Sequence, residues 1–298
     1  MKTTQQLYEV FAAAFPDIVS EPPPLIRASA DSKVGQFKGH KNSVGLLAGY
    51  SCSWMTKLCY SMCYTERGQA GMDNAYLFRA WNTWGLFAYL LKEDVDGLAR
   101  NFSSLITGSV RQYRNEIKKA TDPTALIKAG HMWRWMWSGD LVDATHAMAV
   151  RDASAMHPDT TTWIYTRSFH LLQFLEPVPR NLTVWLSEDE ENTKIAQQYY
   201  TQFPWARRTT LNNEDDPIPS TGTICPENAG KYRTVIGACA KCKICSHSTA
   251  DEVHFINKKS KSTYRRPASE MLLQIAAYKE RGNEPVYQLL PHSPMGRG

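Results

Sequence analysis

Apolar residues recur at three- and four-residue intervals from Asp73 to Leu91, which predicts a helix with Asp73 or Asn74 as its N-cap. A second helix is expected over Val95 to Lys119, with a break near Gly108. Alternation then takes over. LIKAGHMWRWMW, Leu126 to Trp137, reads as a strand; Ser138-Gly139-Asp140 follows, then a helix from Val142 to Met156. The order repeats with a strand over Thr161–Thr166, a short helix over Phe169–Leu175, a strand over Leu182–Leu186, a helix over Asp189–Phe203 and a strand over Ala206–Leu211. Strands alternating with helices argue for βαβ units and a parallel sheet, hence an α/β fold. Upstream, the N-terminal stretch reads as a short amphipathic helix, and residues 21–51 as irregular chain with one strand near Val44–Ala48. Downstream, NNEDDPIPSTG is a turn-rich linker into a cysteine-dense, helix-poor segment, closed by a helix over Pro267–Arg281. The pattern divides the chain into an α/β body, residues 1–211, and a smaller cysteine-rich module, residues 212–298.

The 298 residues suffice for a substantial core. No apolar run reaches membrane-spanning length, and the N-terminus lacks the cleavage pattern of a secretory signal. A cytoplasmic location without a membrane partner is therefore expected, and with it a reducing compartment. The net charge of +5 fits a nucleic-acid partner without establishing one.

That compartment changes the meaning of the seven cysteines, which point to thiolate ligation rather than disulfides. Cys52, Cys59 and Cys63 follow a C-x6-C-x3-C spacing just ahead of a helix. Three thiolates can hold three irons of a 4Fe–4S cube and leave the fourth open for an outside ligand. The other readings are a zinc site completed by a distant histidine such as His40, or three buried core cysteines. Cys225, Cys239, Cys242 and Cys245 form the second group, whose C-x2-C-x2-C run matches ferredoxin spacing. Four cysteines can close a site completely, either around a second 4Fe–4S cluster or around zinc.

Read together, Cys59-Tyr60-Ser61-Met62-Cys63-Tyr64, Ser138-Gly139-Asp140, Tyr165-Thr166-Arg167-Ser168 and the C-terminal cysteine group occur in an order that resembles the radical S-adenosylmethionine enzymes, and specifically the phage "gene product eighty-eight" type. The spacing departs from the usual C-x3-C-x2-C of that superfamily. The resemblance implies a partial (β/α) barrel of parallel strands with a C-terminal metal-cluster module. It also implies S-adenosylmethionine bound at the open iron, cleaved by one electron from a donor such as flavodoxin or ferredoxin, to give a 5′-deoxyadenosyl radical that abstracts a hydrogen. Tyr60 stands where the superfamily places an aromatic near the adenine, and Ser138, Gly139 and Asp140 resemble the element that contacts the methionine amino group. A phage origin places the chain in the host cytoplasm and makes a modified thymidine in DNA a candidate substrate for isomerisation.

Other residues carry two readings each. Ser138 or Asp140 serves equally as a helix N-cap. Arg167 and Ser168, after one strand, suit a carboxylate or ribose, or a surface salt bridge; Ser187 and Glu188, after the next, repeat the argument. In a regular strand Trp133, Trp135 and Trp137 share one face and Met132, Arg134 and Met136 the other. Arg134 then meets either a substrate anion or an internal carboxylate. Lys258, Lys259, Lys261, Arg265 and Arg266, with Tyr264, suit phosphate-backbone binding, extended by Arg207, Arg208, Lys241 and Lys243, or else form a solvated face. The competing functions are a radical enzyme acting on a peptide or metabolite, and a non-catalytic zinc- or cluster-stabilised nucleic-acid-binding module.

Overall fold

In the computed structural model, which describes residues 3–61, 63, 65, 73–213, 221–231, 237–247 and 249–257, the chain opens with α1 (Thr4–Ala14) and α2 (Pro16–Val19). A capping box between Thr3 and Gln6 starts α1, which buries Leu7 and Phe11. Strands β1 (Ser29–Ala30) and β2 (Lys41–Gly45) come next, then the short α3 (Lys57–Ser61), α4 (Asp73–Leu90), α5 (Val95–Lys119) and α6 (Thr124–Ala129). The repeat follows as β3 (Met132–Ser138), α7 (Ala144–Ala155), β4 (Thr161–Thr166), a 3-10 helix (Phe169–Leu175), β5 (Leu182–Glu188), α8 (Thr193–Gln202) and β6 (Arg207–Asn213). The cysteine-rich segment adds β7 (Thr223–Ile224), α9 (Ala238–Cys242) and β8 (Glu252–Asn257). Among the described residues no helix is long and apolar enough to cross a membrane.

These strands form one eight-stranded sheet in the order β1-β2-β3-β4-β5-β6-β8-β7. Only β1 runs antiparallel to its neighbour; the other ladders are parallel. From β2 to β6 the order in space follows the order in sequence, so right-handed crossovers lay the connecting helices on one face. Trp133, Trp135, Ile164, Val184 and Leu186 point into that helical layer, packing with Phe102, Val150 and Leu172. Met132, Trp163, Trp185 and Val253 belong to a second cluster on which Cys225, Cys239 and Cys245 pack. Strands from both sides of residue 211 therefore share a sheet, with β8 hydrogen-bonded along β6.

The structure departs from the sequence pattern in identifiable places. Helix α5 runs unbroken through Gly108, because Leu98, Phe102, Ile106, Ser109 and Tyr113 bury a continuous stripe that outweighs the ~1 kcal/mol cost of one glycine. Residues 126–129 are helical rather than extended: Tyr113 Oη donates to Leu126 O at 2.6 Å, and Gly130, at φ 73°, closes the turn. The strand expected at Val44–Ala48 lies at Lys41–Gly45. Helix α8 begins at Thr193, not Asp189, because residues 189–192 form a turn closed by Asp189 N to Asn192 Oδ1 at 2.8 Å. The alternation of β3 breaks at Met136, whose φ is 39°. Between Ser43↔Arg134 and Gly45↔Ser138, two residue steps on β2 face four on β3, a bulge at which Met136 joins the cluster of Trp133 and Trp135 while still lining the edge of the sheet. Trp137 instead covers Gly45 and donates from Nε1 to Ser29 Oγ at 2.7 Å. The helix expected over Pro267–Arg281 lies outside the described residues.

Candidate functional site

Parallel strands in sequential order send their C-terminal ends to one edge of the sheet, where loops are free to build a site. A cavity of about 590 Å³ opens there and along the face turned away from the helices. All seven cysteines line it. Each is a free, partly buried thiol.

The first group hangs from the loop after β2. That loop is fastened to the end of β3 by Leu46 N to Ser138 O at 2.9 Å, Ser138 Oγ to Leu46 O at 2.7 Å and Asp140 N to Ser51 O at 3.1 Å. Gly139, at φ 87°, allows this approach; a Cβ there would sit 2.5 Å from Ser51 Oγ and 2.7 Å from Leu46 Cβ. Cys59 lies on α3, which is too short to persist alone. Its free N–H groups are satisfied from the loop after β5: Glu191 accepts from Lys57 N at 3.1 Å and Leu58 N at 2.8 Å. Thr56 Oγ1 accepts from Cys59 N at 3.0 Å and donates to Asp189 Oδ2 at 2.5 Å. Cys63 Sγ lies 3.0 Å from Thr65 Oγ1, and Thr65 O accepts from buried Arg79 at 2.9 Å.

Burial, then Asp140, then the neighbouring thiols push Cys52 well up. Burial raises Cys59 to about 11 against the pull of the Arg167 guanidinium. Arg167 is itself buried and paired with Asp189 at 2.7 Å. Such thiols ionise only with positive charge close by, which Arg167 supplies in part for Cys59.

Asp140 is a clamp between two strand ends. It accepts from Thr166 Oγ1 at 2.6 Å, Leu141 N at 2.7 Å and Arg167 N at 2.8 Å, and burial pushes its carboxyl up. Neither it nor Ser138 caps α7; Asp143 does, accepting from His146 N at 2.9 Å. Ser138, Gly139, Asp140, Arg167 and Ser187 line the cavity, whereas Ser168 does not: it is fully buried and donates to Leu141 O at 2.7 Å. The Tyr60 backbone lies in α3 and its side chain falls outside the described set. Glu188 is absent from the lining and pairs with Arg208.

The second group drapes over the opposite sheet face. Cys225 N donates to His254 O at 2.9 Å, Cys239 N to Lys33 O at 2.8 Å, and Trp185 Nε1 to Cys245 O at 2.9 Å. Burial raises the Cys245 thiol to about 12 against the opposing influence of the Tyr165 phenol. Arg134 meets an internal carboxylate, Asp31 Oδ2 at 2.9 Å, and lies 5.2 Å from the Tyr165 ring centroid. Its charge opposes the upward push of burial on Cys239 and Cys245.

One sequence-based assignment fails here. His40 is not near the three-cysteine group as a fourth ligand; it is buried against Phe37, with Nε2 3.0 Å from Ser109 Oγ, and does not line the cavity. Arg207 and Arg208, read as extending a phosphate-binding patch, are ion-paired, Arg207 with Asp251 and Arg208 with Glu188 and Glu252. Lys243 Nζ donates to Lys128 O at 2.8 Å, and Lys241 is exposed. Lys258, Lys259, Lys261, Tyr264, Arg265 and Arg266 lie outside the described residues. Asp31, Thr56, Asp189 and Glu191 escaped the sequence reading. The only local signal was the position of Asp189 and Glu191 just beyond a strand's C-terminal end. Among the described residues no three His, Cys, Asp or Glu side chains are set to hold a metal ion.

Fold and site thus define an α/β protein with two cysteine groups on one cavity at the C-terminal edge of a mostly parallel sheet. The chain belongs to the Gene product 88 family, which it matches over residues 24–248. It is 24% identical over 234 residues to the Gene 88 protein of Mycobacterium phage L5, covering 74% of this chain and 89% of that protein. It is 25% identical over 250 residues to the Gene 88 protein of Mycobacterium phage D29, with the same coverage. No solved structure matches the chain.

Proposed function

We propose that this chain is a radical S-adenosylmethionine enzyme that remodels a modified base in phage DNA by hydrogen abstraction. The observation that carries the reading is the convergence of all seven cysteines, three and four, on one cavity at the ends of parallel strands. The sequential, open sheet supports the partial (β/α) barrel that the reading requires. What supports the clusters is donor chemistry: soft thiols, which in each group lie near enough to raise one another's pKa.

Cys52, Cys59 and Cys63 would hold the catalytic cluster, and Cys225, Cys239, Cys242 and Cys245 the second cluster or zinc. The first cluster, once reduced by a flavodoxin- or ferredoxin-type donor, would supply the one electron that breaks the sulfonium C5′–S bond of S-adenosylmethionine into methionine and a 5′-deoxyadenosyl radical. The protein's part is positioning. Asp140 and Arg167 both line the cavity, Asp140 tying the ends of β3 and β4 together and Arg167 held by Asp189 beside Cys59. Asp189 and Glu191 fix the Cys59 helix, and the apolar wall from Met136, Val253 and Phe255 limits water.

Anaerobic purification with iron and sulfide counting, followed by a 5′-deoxyadenosine assay after reduction, tests the reading. About eight irons per chain and adenosyl cleavage are expected, both reduced in C52A/C59A/C63A. About four irons plus one zinc revises only the C-terminal site. Iron-loaded protein that never cleaves S-adenosylmethionine overturns the proposal.

A further inference from the structure

Helix α5 carries Thr107, Arg111, Arg114, Asn115 and Lys118 at spacings that place them on one face. With His157 from just beyond α7, they line a groove of about 410 Å³, separate from the cysteine cavity. Arg111, Arg114 and Lys118 are exposed, and among the described residues no carboxylate lines the groove. Among the described residues none of the three is ion-paired, in contrast to Arg134, Arg151, Arg167, Arg207 and Arg208. The His157 ring fixes the second wall, with Nε2 2.9 Å from Ser103 Oγ and 3.0 Å from Ser103 O.

A cation in the last turn of a helix needs no ligand to account for it, since it offsets the helix dipole; Lys118 qualifies. Arg111 and Arg114 lie more than a turn before the helix end and do not. Over Arg111 to Lys118 the helix advances about 10 Å, the axial length of roughly three phosphates on one strand of a duplex. Asn115 and Thr107 add neutral hydrogen-bonding groups beside the cations.

We infer that this groove is a docking site for the phosphodiester backbone of double-stranded DNA. The inference rests on the DNA part of the proposed function and not on the cysteine chemistry. It assigns backbone contact to folded residues on the helical side of the sheet.

Fluorescence anisotropy of a labelled duplex with the full chain over a salt series tests it. R111Q/R114Q/K118Q should bind more weakly, and the slope of log K against log salt should fall by about 2.7, with about 0.9 lost in each single variant. Glutamine keeps helix propensity at these exposed positions, and an unchanged circular dichroism melt checks the fold. A triple variant that retains the wild-type slope overturns the groove. So does loss of inorganic phosphate binding with the duplex slope intact, which makes it a small-anion site. Wild-type protein that does not bind duplex at all removes the DNA part of the function instead, and iron and adenosyl-cleavage measurements are unaffected by either result.

Discussion

Asp189 grips Arg167 through a 2.7 Å ion pair, its carboxylate fully buried, at the point where the loops after β4 and β5 meet the Cys59 helix. The same carboxylate oxygen accepts from Thr56, which in turn holds Cys59 N. Removing one partner of such a pair leaves the other charge buried and unmatched. D189N should therefore lose about 3 kcal/mol in urea unfolding, and R167M/D189L should recover much of it. A wild-type unfolding midpoint in D189N would show that the pair does not hold the site together.

Glu191 acts more locally. It caps α3 from more than 130 residues away in sequence, through Lys57 N and Leu58 N. E191A should open that helix by about 1 kcal/mol, seen as faster alkylation of Cys59 in metal-free protein while Cys225 reacts at its wild-type rate. Equal acceleration at both thiols would point to global loosening instead.

Gly139 has a backbone and a steric reason to be glycine. G139A places a Cβ 2.5 Å from Ser51 Oγ at φ 87°. A loss of more than about 1 kcal/mol is expected from the backbone conformation alone. Thermal unfolding checks it, and a melt within error of wild type would mean that the loop before Cys52 relaxes freely.

Burial lowers His40 to about 4, and His131 and His146 to about 3, from 6.5. His40 and His131 meet at Ser109 Oγ, at 3.0 and 2.9 Å. A depressed folded-state pKa means that the unfolded chain binds more protons between the two values, so stability is full above about 6.5 and is lost as pH falls toward 4. Each histidine contributes up to about 1.4 kcal/mol per pH unit in that window. Urea midpoints should fall from pH 7 to pH 5, less steeply in H131N; a flat profile would contradict neutral burial.

What the sequence determined by itself was local. The ends of Val95–Lys119 and Thr161–Thr166 were legible, since an apolar stripe and strand alternation act within a few positions, although the break expected at Gly108 does not occur. The cysteine spacings were legible for the same reason, and so were Ser138-Gly139-Asp140 and Arg167 as strand-end positions. Tertiary structure decided what those residues touch. A bulge against β2 broke the alternation at Met136, and Tyr113 helped hold residues 126–129 helical. Arg207 and Arg208 found carboxylates on neighbouring loops and strands, while Asp189 and Glu191 reached back to a helix far earlier in the chain. Hydrogen bonds and ion pairs between segments, from 13 residues apart for Tyr113 and Leu126 to 134 for Lys57 and Glu191, leave no periodicity in the sequence, because only the folded sheet brings their partners within reach.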